Sequence, residues 1–223
     1  KFDARSTNCD SVISLLSMLS NSQYVIMPTT NSAYGTTDGS GPCDENAVLQ
    51  PISEYALDKV ELEEMLMQRE KSISLRLATV FGFSPRMRTD LLVNDFVYKA
   101  VKDGALALFE ADFYRNYIHV TDVARAFIHC IQNFEMMSSN VYNVGLSDAN
   151  LTKRELALKI KEHIPNLSIF VADNRSDPDK RNYIVSNRKI ELTGYIPATS
   201  IDDGIKELIR GFRAMRNSSY SNI

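Results

Sequence analysis

The chain alternates between two hydrophobic rhythms. Between residues 6 and 20 apolar positions recur at helical spacing, and in "QYVIMPTT" they close into a short run of the kind a buried strand carries. The same change then repeats. A helical pattern over 53 to 69, in which Ala56, Val60, Leu62, Met65 and Leu66 return at near-helical intervals, precedes "SISLRLATVFG", which reads as one buried strand. A Pro- and Arg-containing loop, "FSPRMRTD", leads to a helix over about 90 to 102 and a short strand, "ALALFE". "YIHV" is strand-like, Thr121 or Asp122 is placed to cap the helix "DVARAFIHCIQNF", and "NVYNVG" is strand-like again. Helices over 152 to 163 and 200 to 216 and a strand near "LSIFV" complete a chain whose alternation predicts α/β architecture.

The helix over 53 to 69 holds a feature that packing does not require. Tyr55 and Lys59 stand one turn apart on a face whose other members are apolar. On spacing alone the pair is ordinary, because a lysine stem covers apolar surface while its ammonium stays in water. Ligands in open α/β sheets, however, sit beyond the carboxyl ends of the strands, and "VIMPTTNSAYG" places hydroxyls at Thr29, Thr30 and Ser32 where its strand should end. A strand-end hydroxyl, a helical tyrosine and a lysine one turn on form a coherent chemical trio. The cation lowers the tyrosine pKa, the hydroxyl fixes a substrate oxygen, and the tyrosine oxygen gives or takes a proton near neutral pH.

Composition narrows the setting. A chain of 223 residues with 44% hydrophobic and 24% charged content is globular, long enough for one large domain or two small ones, and neither disordered nor collagen-like. Apolar runs are short, and "KFDARSTNCD" lacks the apolar core of a signal peptide, so no membrane partner and a cytoplasmic location are expected. The three cysteines are odd in number and far apart, which fits free thiols better than disulfides or a metal cage, and no metal site is expected. A net charge of −3 argues against nucleic acid as the main partner, although local basic clusters can hold a phosphate. His119, His129 and His163 read as structural, the last at a helix C-terminus where its charge suits the dipole.

"TTNSAYG", "YALDK", "RLATVFG", "RNYIHVTDVARA" and "VYNVG", in this order and at these separations, give nearly the whole chain a resemblance to the extended short-chain dehydrogenase/reductases, specifically the nucleotide-sugar epimerase/dehydratase family. The resemblance implies a Rossmann-like doubly wound parallel sheet, incomplete at the N-terminus, from residues 1–82 and 113–146. A smaller α/β substrate-binding part would come from 83–112 and 147–223. It also implies catalysis by Thr30, Tyr55 and Lys59, with Lys59 on the nicotinamide ribose. NAD or NADP would be held by Asn8, Thr30, Tyr55, Lys59, Thr79 and Val80, and a nucleotide-diphosphate sugar by Asn94, Arg115 and Arg181. Arg115 matches the family's diphosphate arginine; Arg175 is the alternative to Arg181. Leu91 runs with the nucleotide-contacting stretch but is expected in the core, Thr29 and Ser32 are expected in local capping, and Arg86 and Arg88 are either a second anion contact or solvated loop charges. A homodimer through a helix bundle that includes the Tyr/Lys helix is implied as well.

Two departures from the family pattern qualify the function. The dehydratases carry an acidic pair directly after the strand-end threonine, where this chain has Asn31 and Ser32, side chains that do not act as acid or base at neutral pH. Dehydration is therefore disfavoured. Epimerisation through a keto-sugar remains, with a nucleotide-sugar reductase or dehydrogenase as the alternative. The second departure is the Gly-rich turn between a first strand and helix that cradles the NAD pyrophosphate, which the sequence does not contain. The chain is thus expected to be part of a longer NAD(P)-binding enzyme, or else a truncated, non-catalytic binding or assembly module.

Overall fold

A computed structural model of the chain describes residues 4–37, 41–172 and 181–215. A π-helical turn, Ser6–Asp10, runs into α1 (Ser11–Met18), and β1 (Val25–Thr30) ends in the 3-10 turn Asn31–Tyr34. There follow α2 (Glu54–Leu66), β2 (Ser72–Leu77), β3 (Thr79–Phe81), α3 (Leu92–Lys102), β4 (Ala105–Leu108), β5 (Tyr114–His119), α4 (Val120–Gln132), α5 (Phe134–Met137) and β6 (Asn140–Val144). The chain continues through β7 (Asn150–Thr152), α6 (Lys153–His163), β8 (Ser168–Val171), α7 (Arg188–Glu191) and α8 (Ile201–Ala214).

The main sheet is parallel, in the order β1-β2-β6, with Val25 opposite Ser72 and Ile73 opposite Asn140. Both of its faces are covered. On one, Ile73, Leu75, Tyr142 and Val144 pack with Ala126 and Cys130 of α4 and with Phe134. On the other, Met27 packs with Leu16 of α1 and with Leu62 and Leu66 of α2. Parallel strands covered on both faces by helices make this the α/β, Rossmann-like arrangement that the alternation predicts.

The run "SISLRLATVFG" is two strands, not one. Ala78 N still donates to Val144 O at 2.9 Å, but from Thr79 the chain leaves the main sheet and pairs in parallel with β5, which in turn takes β7 antiparallel. The apolar run continues across the break because both strands are buried, so hydrophobicity carries no mark of it. The cap of α4 also differs from expectation. His119 occupies the position and its Nδ1 accepts from Thr121 N at 3.3 Å, while Asp122 is fully buried and accepts from Ala198 N and Thr199 N at 3.0 and 2.8 Å.

The C-terminal elements close over a single apolar cluster. Val93 and Val97 of α3, Leu106 and Leu108 of β4, Leu156 and Ile160 of α6, and Ile205, Leu208 and Phe212 of α8 meet there with Phe81. The short parallel pair β4–β8 flanks it. Among the described residues no helix is long and apolar enough to cross a membrane.

Candidate active site

A cavity of about 650 Å³ opens where β1 and β2 end and β3 begins. Its wall includes Asn8, Thr30, Tyr55, Lys59, Thr79, Val80 and Arg181, so the structure gathers in one place most of the residues singled out from sequence. Position explains this convergence. β1 delivers Thr30 at its carboxyl end, the parallel crossover through α2 brings Tyr55 and Lys59 over the same end, and β3 begins beside it with Thr79 and Val80. Ser53 sets the start of α2, its side chain accepting from Ala56 N at 3.3 Å, so Tyr55 falls in the first turn and Lys59 in the next.

The buried face of α2 is not purely apolar, as its spacing suggested. It consists of Ala56, Leu62 and Leu66 together with Asp58 and Glu63, and Tyr55 is half-exposed. Burial of its ionisable end raises the Tyr55 phenol above its ordinary value, against the opposing charges of Arg181 and then Arg88. Burial likewise pushes the Lys59 ammonium below its ordinary value, partly offset by Cys9 and Asp58. The cations that draw the Tyr55 phenol down, Arg181 and Arg88, therefore stand across the cavity rather than on its own helix, and Lys59, expected to do this, is not among them.

The hydroxyls divide their work differently from expectation. Thr30 performs the local capping, its Oγ1 accepting from Ser32 N at 3.1 Å and donating to Ser32 Oγ at 3.0 Å. Ser32 is the acceptor for Arg181 Nη1, which fastens that guanidinium beside Thr30. Gly35, at φ +66°, turns the chain away directly after this group; a Cβ there would meet Gln50 O, so the turn admits only glycine.

Arg115 and Asn94, expected to touch substrate, do not line the cavity. Arg115 is 2% exposed, donates to Tyr114 O at 2.8 Å and to the carbonyl of Arg181, and lies over the Tyr183 ring at 5.8 Å. It thus sets the strand-like segment that carries Arg181, which is also bridged at Thr36–Asn182 and Cys43–Val185. Asn94 is equally buried; its Nδ2 donates to Arg88 O at 2.8 Å and its Oδ1 accepts from Gly82 N at 3.1 Å, which shapes the loop bearing Arg88. Both residues stand one step behind the wall.

Sequence reasoning underrated Arg88 and Leu91. Arg88, expected as either a second anion contact or, by default, a solvated loop charge, lines the cavity while its guanidinium pairs with Asp90 at 2.6 and 2.7 Å, and Leu91, expected in the core, also lines it. Only their position between β3 and α3, beyond the strand ends, signalled this. Arg175 lies outside the described residues. His119 is buried against Phe81 with Nε2 2.6 Å from Glu207, and is not part of the cavity. The one group of three metal-type donors among the described residues, Cys9, Asp58 and Glu61, already receives the Arg5 guanidinium, at 2.6 Å on Asp58 and 2.9 Å on Glu61.

Comparison with known proteins identifies the family. Residues 3–145 match the NAD dependent epimerase/dehydratase family. An uncharacterized UDP-glucose epimerase of Bacillus subtilis (strain 168) is 23% identical over 82% of this chain and 58% of its own length. The dTDP-4-dehydro-6-deoxyglucose reductase of Escherichia coli is 26% identical over 86% of the chain and 61% of its own. The UDP-glucose 4-epimerase of Thermotoga maritima, solved with UDP-glucose, superposes with a TM-score of 0.80 at 25% identity, over 95% of this chain and 70% of that one. The chain spans about three fifths of the length of these two curated relatives.

Proposed function

The chain belongs to the NAD dependent epimerase/dehydratase family, and from that premise we propose that it forms the catalytic and substrate side of an NAD(P)-dependent nucleotide-sugar epimerase acting through a keto-sugar intermediate. The observation that carries this reading is the convergence of Thr30, Tyr55 and Lys59 with Arg181 in one cavity.

The cavity fits the nicotinamide end of the cofactor. It offers hydroxyls at Thr30 and Thr79, apolar surface at Leu77, Ala78 and Val80, and the Lys59 ammonium, at a volume within the usual range for small ligands. Tyr55 and Lys59 would hold the ribose, Thr79 and Val80 the ring, and Asn8 the rim. No strand, Gly-rich turn and helix for the pyrophosphate occurs among the described residues, so the fit extends to this end alone. When bound, the cofactor supplies the acceptor and donor of hydride.

The chain's own residues manage the proton and the oxygen. The Tyr55 oxygen takes the proton from a sugar hydroxyl as the ring carbon is oxidised, and returns it when the turned keto-sugar is reduced. Arg181 and Arg88 together favour the phenolate, against the burial that disfavours it. Thr30 steadies the sugar oxygen. Arg181 meets the diphosphate as a guanidinium suited to phosphate oxygens, with Arg115 and Asn94 as positioning residues behind it and behind Arg88.

The proposal extends to the setting. Residues 1–82 and 113–146 serve the cofactor and 83–112 and 147–223 the sugar nucleotide. Cys9, Cys43 and Cys130 are all buried free thiols, which suits a reducing cytoplasm. A homodimer would use exposed Leu15 and Met18 of α1 and Leu57 of α2. The test is calorimetry with NAD(H) and NADP(H), followed by product analysis with UDP-glucose. Interconversion without net cofactor consumption supports the epimerase. Stoichiometric consumption makes the protein a reductase or dehydrogenase, and no cofactor binding by the full-length protein refutes the enzyme.

A further inference from the structure

Beneath α2 lies a group of buried polar side chains that no step of the proposed reaction uses. Glu63 and Arg76 are each 5% exposed. Arg76 Nε and Nη2 donate to Glu63 Oε1 at 3.0 and 2.6 Å, and the hydroxyls of Thr29 and Ser74 donate to Glu63 Oε2 at 2.9 and 2.6 Å. The remaining Arg76 nitrogen, Nη1, donates to Tyr34 Oη at 3.0 Å, and that hydroxyl donates to Asn143 Oδ1 at 2.8 Å. Stability alone does not account for such a cluster, because an ion pair withdrawn this far from water gains little over apolar residues of the same size.

Its placement suggests a different role. Tyr55, Lys59 and Glu63 follow one another at four-residue intervals along α2, one turn apart. The partners of Glu63 sit on β1 at Thr29, next to Thr30, and on β2 at Ser74 and Arg76, and the chain of bonds runs on to Tyr34 in the turn that follows Thr30. Apolar packing fixes a helix only approximately on a sheet, and cores repacked with other apolar residues lose uniqueness before stability. A forked, charge-assisted bond has one geometry.

We infer that Glu63 and Arg76 are positioning residues that fix the setting of α2 on the main sheet, and so hold Tyr55 and Lys59 in register with Thr30 across the cavity. The inference rests on the reaction proposed above for those three residues. Misplacement by about 1 Å costs a catalytic group roughly a hundredfold, so the register is worth fixing.

The test is the full chain carrying Glu63→Leu with Arg76→Met, which removes the fork without stranding a charge. Thr29 Oγ1 and Ser74 Oγ remain 3.0 Å apart and retain each other as partners. Turnover and Tyr55 are both read out, the latter by ¹³C NMR titration of labelled tyrosine, assigned by its loss in Tyr55→Phe. The expected result is a cooperative folded protein with kcat lowered roughly tenfold or more, KM within about threefold, and a Tyr55 titration moved toward that of free tyrosine. Should the double variant fail to fold, Arg76→Lys keeps the charge and loses the fork, and its kcat is expected to fall in the same direction. Either readout unmoved in a folded variant, or KM rising in proportion to the fall in kcat, overturns the inference. An inactive full-length wild type refutes the proposed function instead, and the Tyr55 titration then decides the positioning role alone.

Discussion

Where α2 meets the sheet, Glu63 bonds to Arg76, Ser74 and Thr29 beside the apolar contacts of Leu62 and Leu66 with Met27; where α8 meets its neighbours, Ile205, Leu208 and Phe212 pack against Phe81 and the residues of α3. Both helices are long and both bury one side. Apolar contact is non-directional and scales with area, so it holds a covering helix in place without demanding one register. Bonds to a buried carboxylate demand geometry and are costly to leave unmade. The molecule puts a buried carboxylate with three partner side chains beneath the helix that carries Tyr55 and Lys59. The helix that carries no cavity residue has one polar tie to the strand beneath it, Glu207 to His119 at 2.6 Å, with Glu207 still partly open to water, and otherwise the tolerant apolar kind.

Substitutions that separate catalysis from packing sharpen this contrast most. Tyr55→Phe is expected to reduce turnover roughly 10²–10⁴-fold, the usual weight of a general acid–base group, while calorimetric NAD(H) binding and the urea midpoint stay near wild type. A variant that lost stability along with turnover would assign Tyr55 to packing and erase the comparison. Leu208→Ala is the opposite case. Leu208 is fully buried in the apolar cluster, so the change is expected to cost about 2–5 kcal/mol in urea unfolding, with kcat of the folded fraction unchanged. A fall in kcat that exceeds the loss of folded protein would show that α8 also sets the cavity.

Arg88→Ala should act on pH dependence and leave stability nearly untouched. Burial raises the Tyr55 phenol and the charges of Arg181 and Arg88 draw it back, so removing Arg88 raises it further. Activity that depends on the phenolate rises with pH through this ionisation, so that limb of the rate profile is expected to move to higher pH. An unmoved limb would mean that Arg88 does not act on the proton step.

The helices and most strands were legible because their burial follows the period of the element. Ile201, Ile205, Leu208, Ile209 and Phe212 fall on one side of α8, and the spacing says so. β2 was legible only in part. Its alternation of Ile73 and Leu75 with Ser72, Ser74 and Arg76 reads as a strand, but the polar side faces a buried carboxylate rather than water, and no local rule distinguishes the two. The same ambiguity hid Glu63 and Asp58 within α2. In the cavity, Thr30, Tyr55 and Lys59 could be paired from chemistry and motif order, whereas Arg115 and Asn94 match contact positions yet lie buried behind Arg181 and Arg88. Arg88 and Leu91 went the other way. Whether a loop side chain points into a cavity depends on tertiary packing that spacing does not encode.

The smallest effect expected belongs to charges that neither half depends on. Between α6 and α8, Asp202 accepts from Lys159 at 2.9 Å and pairs with His163 at 3.2 Å, and all three side chains are partly open to water. Burial alone would raise the Asp202 carboxyl; the bonds from Lys159 and His163 outweigh it and hold the group below its ordinary value. A carboxyl lowered on folding stabilises the folded state above its unfolded value, and that contribution is lost as the pH falls through the lowered one. Asp202→Asn is therefore expected to cost about 0–1 kcal/mol at neutral pH and nothing in strong acid, with the difference narrowing in high salt. Urea midpoints at neutral and acidic pH measure it. A loss of several kcal/mol would place a directional electrostatic contact at the heart of the apolar half, and the distinction between the two helices would no longer hold.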